Sequence, residues 1–132
     1  HRATGLTYVA ACTVAVPTGL VLAFGASTGP VTGAGFGFLA ILTGLFTLQG
    51  LRAALARRFD VHREWMLRSY AMIAAAITLR LMIPASFLLG LDFTESYRVI
   101  AWACWMLNLA LIELYIRRTR TSLPRFQFLA PA

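Results

Sequence analysis

The sequence predicts an all-α integral membrane bundle of four transmembrane helices, and three observations carry that prediction. Hydrophobic residues make up 59% of the chain and charged residues only 13%, with a mean hydropathy of +0.72. A water-soluble domain carries about 25% charged residues, so this chain has too few polar groups to cover a water-facing surface. The 132 residues also divide into four apolar runs, each near the roughly 20 residues that cross a bilayer. Finally, the arginines gather at the ends of those runs, where membrane anchors sit. Residues 1–120 are expected to form one four-helix domain, with helices at about 4–24, 36–56, 61–89 and 97–116. Residues 121–132 contain Pro124 and Pro131 and read as a flexible C-terminal tail.

The net charge is +7, and every basic residue is an arginine. A nucleic-acid partner is not expected, because no basic face with exposed aromatics can be drawn on a soluble surface. Cys12 and Cys104 both fall within apolar runs, which predicts free buried thiols. The chain opens on His1, so a processed or partly traced product is expected.

In the first run Ala11, Ala15, Gly19 and Ala23 recur every fourth residue. That spacing lines small side chains along one helical stripe, where another helix can approach closely. Pro17 lies mid-run, a position a bilayer helix tolerates. Five glycines and a proline between Gly25 and Gly37 read as a connector. It lacks the Gly-Lys-Ser/Thr ending of a phosphate-binding loop and follows a helix-length run. The second run repeats the small-residue spacing at Ala40 and Gly44 and closes on Arg52, Arg57 and Arg58.

The third run starts beyond Asp60, the expected N-cap, with Glu64 in its first turn. His62 and Arg80 are 18 residues apart, which is five full turns and about 27 Å on one face. Ser69, Ile73 and Ala76 fall near that line, and the stripe is expected to face the bundle interior or a wet cavity. Pro84 cannot donate to the Arg80 carbonyl, which predicts a kink. The second connector carries Asp92 and Glu95, either of which is placed to pair with Arg80.

The fourth run holds Tyr97, Ala101, Cys104, Asn108 and Tyr115 on one face. Asn108 is the strongly polar amide of this helix and is expected to bond across to another helix. Glu113, a turn from the end, is expected to pair with an arginine. Four spans put both termini and the middle connector on one side. That side carries Arg2, Arg52, Arg57, Arg58, Arg63, Arg68, Arg117, Arg118, Arg120 and Arg125, against Arg80 and Arg98 on the other. The positive-inside rule then places both termini in the cytoplasm.

His1 and His62 begin two helices at that same interface, each followed by an arginine. One reading is a pair of ligands for b-type haem or a quinone site, with His1, His62, Arg63 and Trp65 around it. The other is that each imidazole sits among head groups or donates to a nearby carbonyl. No nucleophile elbow, close carboxylate pair or zinc-spaced ligand set is present, so no catalytic residue and no metal site are assigned. Arg68, Arg80, Asn108 and Glu113 remain as intramembrane polar residues.

Several strings carry a resemblance. They are His1-Arg2-x-x-Gly5-x-x-Tyr8, Gly35-Phe36, His62-Arg63-x-Trp65-Met66-x-Arg68-Ser69-Tyr70, Leu79-Arg80-x-x-x-Pro84, Tyr97, and Ala101-Trp102-x-x-Trp105-x-x-Asn108-Leu109. Over almost its whole length the chain resembles the bacterial predicted membrane proteins grouped as domain-of-unknown-function family 2306. The resemblance implies a multi-pass protein of the bacterial inner membrane and implies further helices ahead of the His1 segment. It singles out His1, His62, Arg63, Trp65, Arg68, Arg80 and Asn108 without giving them roles.

The leading functional expectation is a non-catalytic accessory or scaffolding subunit, bound to lipid and to other subunits of a larger membrane complex, with energy-converting complexes among the candidates. Its warrant is the contrast between few intramembrane polar groups and many close-packing positions, Gly44 included. A redox protein holding haem or quinone is the first alternative. A small transporter working through Arg80 is the second.

Overall fold

A computed structural model describes residues 2–26 and 28–121. They form four helices in chain order: α1 (Arg2–Phe24), α2 (Pro30–Leu55), α3 (Phe59–Leu88) and α4 (Phe93–Thr121). All four are long and apolar enough to cross a membrane, and no strand occurs among the described residues. Their outer faces are mainly apolar: Leu22, Phe24, Leu81, Leu88, Val99 and Leu111 all stand exposed. In water such a surface would aggregate; against acyl chains it is the expected solvent-facing side.

The core lies between α2, α3 and α4. Met72, Ala75, Cys104 and Trp105 are buried at its centre, with Leu39, Phe46, Leu79 and Leu109 packed around them. Helix α1 is peripheral. It lies against α2, and its Tyr8 reaches across to Tyr70 of α3 in an edge-on ring contact.

Glycines set the closest approaches. A Cβ at Gly33 would stand 2.5 Å from the Ala23 carbonyl oxygen of α1. A Cβ at Gly35 would stand 3.0 Å from the Ala101 carbonyl oxygen of α4. Small residues thus let backbones meet where no hydrophobic drive separates helix from lipid. In the small-residue stripe of α1, Gly19 meets Ala40, and Ala23 meets Gly33 and Gly37 of α2; Gly44 of α2 meets Val16. Ala11 and Ala15 are exposed.

The turns have definite closures. At the end of α2 the Arg58 amide donates to the Ala53 carbonyl and the Arg57 amide to the Ala54 carbonyl, with Arg57 left-handed at φ 56°. This is a Schellman closure with arginine where glycine is usual. The end of α3 repeats the pattern with Gly90 at φ 67°: Leu91 donates to Ser86 and Gly90 to Phe87.

Four expectations need correction. Helix α2 begins at Pro30, not near 36, because proline suits a first helical position and the glycines that follow are packing contacts. Helix α3 begins at Phe59 with Arg58 at the N-cap, so Asp60 lies inside the first turn and favours the positive helix end without capping it. Helix α4 begins at Phe93, not near 97, because the Asp92 carboxylate accepts the Glu95 amide at 3.1 Å. It runs on to Thr121, past the expected end near 116. Residues 122–132, and with them the expected tail, lie outside the described residues.

Candidate functional site

The polar groups of the bundle fall into three places, each fixed by helix spacing. The first is a rim at the arginine-rich end, where the start of α3 meets the end of α4. Glu64 and Arg68 are one turn apart on α3; Glu113, Arg117 and Arg120 follow at three- and four-residue spacing on α4. Arg68 grips Glu113 with two bonds, Nε to Oε2 at 3.0 Å and Nη2 to Oε1 at 3.2 Å. Arg120 pairs with Glu64 through both carboxylate oxygens, and Arg117 stands 3.8 Å from Glu113. The Arg68 guanidinium lies 4.9 Å from the centre of the Trp65 ring, a favourable cation–π distance. These groups line a cavity of about 590 Å³ together with Phe46, Val61 and Leu109. Forked arginine–carboxylate pairs are directional, so the rim fastens α3 to α4. Arg63 of α3 adds a bond of 3.4 Å to the Tyr115 hydroxyl of α4.

The second place is a polar seam through the bundle. Thr47 donates to the Thr43 carbonyl at 2.8 Å. Its remaining bond, at 2.7 Å to Ser69, must therefore be accepted from the serine. Ser69 in turn accepts from the Tyr8 hydroxyl at 2.7 Å. The result is a directed run from α1 through α3 to α2, in which each bond polarises the next. Farther along, Asn108 donates to the Ala71 carbonyl at 3.3 Å and accepts from Thr78 at 3.0 Å, tying α4 to α3.

The third place is a cleft of about 680 Å³ between α1, α2 and α3. Its walls are mainly apolar, with Arg80 on one side. The stripe expected to face the interior divides here. Ser69 is buried in the seam, whereas Ile73, Ala76 and Arg80 are exposed along the cleft. Arg80 pairs with neither expected carboxylate, since Glu95 binds Arg98 at 2.8 Å and Asp92 caps α4. Its Nη1 donates instead to the Ala76 carbonyl of its own helix at 3.3 Å.

Of the residues expected around a cofactor, His62, Arg63 and Trp65 share the start of α3 but do not converge. His62 turns to α2, where its Nδ1 lies 2.8 Å from the Gly50 carbonyl oxygen. That carbonyl can only accept, so Nδ1 carries a proton, and in the neutral imidazole Nε2 is the nitrogen with the lone pair. Trp65 turns to Phe46 and Arg68. His1 lies outside the described residues. No group of three metal-ligating side chains occurs among the described residues.

Tyr8, Thr47, Glu64 and Arg120 were not assigned as site residues from the sequence. Two signals for them were present. Thr43 and Thr47 share a helical face, and Glu113 is followed by arginines at three- and four-residue steps.

Four long apolar helices, joined by short turns and stitched by polar bonds inside the bundle, define a polytopic integral membrane protein in contact with the lipid bilayer. A family model described as "Predicted membrane protein (DUF2306)" matches residues 1–116. The chain belongs to that family. No curated protein and no solved structure matches the chain.

Proposed function

We propose that the chain is a non-catalytic accessory subunit that packs into a larger membrane assembly. The observation that supports this reading is the half-used small-residue stripe of α1. Gly19 and Ala23 meet α2, but Ala11 and Ala15 remain exposed on a helix with few neighbours in the chain. Small side chains at four-residue spacing let a second helix approach closely, so that end of the stripe suits a helix from another subunit. In this reading the protein resides in a bacterial inner membrane with its arginine-rich end in the cytoplasm. The test is purification from native membranes in mild detergent, for the full chain and for Ala11→Phe. A partner at fixed stoichiometry, lost in the variant while the thermal stability of the isolated chain is kept, is the expected result. A monomeric chain in cross-linked native membranes overturns it.

A second reading, a membrane redox protein, is favoured by His62. An imidazole held by Nδ1–H on a backbone carbonyl presents Nε2 in a fixed direction, the arrangement seen in metal-ligating histidines. A reduced-minus-oxidised visible spectrum decides it. Sharp b-type bands that vanish in His62→Ala support haem; a flat spectrum from the folded full-length protein rejects it.

A further inference from the structure

Arg80 is a cation in a membrane-spanning helix without a carboxylate partner. The described carboxylates nearest in the chain, Asp92 and Glu95, are engaged elsewhere, and no ion pair forms at Arg80 among the described residues. Its guanidinium bends back toward Ala76, one turn nearer the middle of α3, instead of reaching for the close end of the helix. A lipid-facing arginine ordinarily snorkels outward to the head groups. This one lies along the cleft, which is the size of a small-molecule site and has the apolar walls that such sites show.

The cleft runs from Ala15, Thr43 and Ile73 near mid-span to Gly25 and Thr28 at the α1–α2 turn. Arg80 stands between these limits, two helical turns or about 10 Å beyond Ile73. Among the described residues, helix α1 packs against α2 and meets α3 only through Tyr8, and Ile73, Ala76 and Arg80 stand exposed along the cleft, so it is open to the bilayer beside α3. The molecules that reach such an opening are membrane lipids. One whose head is anionic also supplies the charge that Arg80 lacks.

We propose that the α1–α2–α3 cleft is a binding site for one anionic phospholipid, with its phosphate on Arg80 and an acyl chain lying toward Ile73 and Thr43. Charge complementarity selects the head, and the apolar walls accept the chain. The leaflet is the one that borders the α1–α2 and α3–α4 turns. The site shares Ala15 with the stripe of the assembly reading, but its ligand comes from the bilayer itself and its cation, Arg80, lies outside that stripe.

The test uses the full chain in a neutral mild detergent, titrated with phosphatidylglycerol, phosphatidylcholine or oleate. Binding is read by native mass spectrometry and by the shift in melting temperature. Phosphatidylglycerol should bind at one per chain and raise the melting temperature, with phosphatidylcholine at least tenfold weaker. Arg80→Gln should lower phosphatidylglycerol affinity about tenfold, and Arg80→Lys should restore part of it. Ala76→Leu, which narrows the cleft but keeps the cation, should also weaken binding. Should Arg80→Gln fail to fold, the Arg80→Lys and Ala76→Leu comparisons carry the test. Equal binding of the two phospholipids, or affinity unchanged in all three variants, overturns the proposal. Preference for oleate over phosphatidylglycerol overturns the phospholipid assignment. Cross-linking of an Ala15→Cys chain to another protein through the cleft, with no lipid retained, makes a helix the occupant and overturns it as well.

Discussion

Gly33 and Gly37 lie one turn apart on α2, and both face Ala23 of α1, yet alanine should affect them in opposite directions. At Gly33 a new Cβ would stand 2.5 Å from the Ala23 carbonyl oxygen. Carbon–oxygen contacts of this kind are comfortable at about 3.3 Å and beyond, so the helices must separate by roughly 0.8 Å at that point. The obstacle is backbone, which cannot rotate away as a side chain would. At Gly37 the new Cβ would meet only the Ala23 Cβ at 3.8 Å, an ordinary contact. Replacing glycine by alanine in a helix gains up to about 1 kcal/mol at either site, so that gain largely cancels in the comparison. What remains is the steric cost of overpacking, about 1–3 kcal/mol. Gly33→Ala should therefore be about 1–3 kcal/mol less stable than Gly37→Ala. Gly37→Ala itself should be neutral or slightly stabilising. The assay is reversible unfolding in mixed micelles by titration with a denaturing detergent. Equal stability of the two variants would refute the reasoning, because it would mean that α1 does not rest on α2 at Gly33.

Ser69→Ala removes the middle hydroxyl of the run from Tyr8 to Thr47 and should cost about 1–3 kcal/mol in the same assay; no loss would mean that water or lipid replaces those bonds. Asn108→Leu gives up the Ala71 and Thr78 bonds and should cost about 0.6–2 kcal/mol. A double-mutant cycle with Arg68→Gln and Glu113→Gln should show a coupling of about 1 kcal/mol that shrinks with added salt, and a zero coupling at low salt would dismiss the clamp. Arg57→Gly relieves a left-handed arginine and should stabilise the chain by about 1 kcal/mol, measured as a raised melting temperature.

The four helices were legible because a bilayer leaves its mark on composition and run length before any packing is known. Their starts were less so. The glycines from Gly33 to Gly37 read as breakers by the habits of water-soluble proteins, yet in α2 they are points of contact with Ala23, Ala101 and Trp102. At Asp92 the spacing to Glu95 is that of a capping box, but a charged connector gives the same letters. The interhelical role of Asn108 followed from its polarity alone, since an amide among acyl chains must find a partner. Arg80 did not yield to that logic. Period alone puts it on the face of Ser69, but that face straddles the edge between the core and the cleft. Which side a residue takes depends on how α1 tilts, and local sequence does not encode the tilt. The rim pairs were hidden for a related reason. Glu64 and Arg120 are 56 positions apart, and several arginines compete for two carboxylates.

The manner in which α1 satisfies its threonines bears on the order in which the protein is built. Thr7, Thr13 and Thr18 each donate to a carbonyl one turn back on the same helix. Such a helix can enter lipid as soon as it leaves the ribosome and wait there for α2. Helices α3 and α4 cannot wait so cheaply, because Arg68, Asn108 and Glu113 find their partners across the pair. They are best delivered to the bilayer together, as a hairpin closed at Gly90. Truncated nascent chains should show it: one that ends after α1 should integrate alone, one that ends after α3 should stay held at the translocon, and one that includes α4 should be released into the lipid.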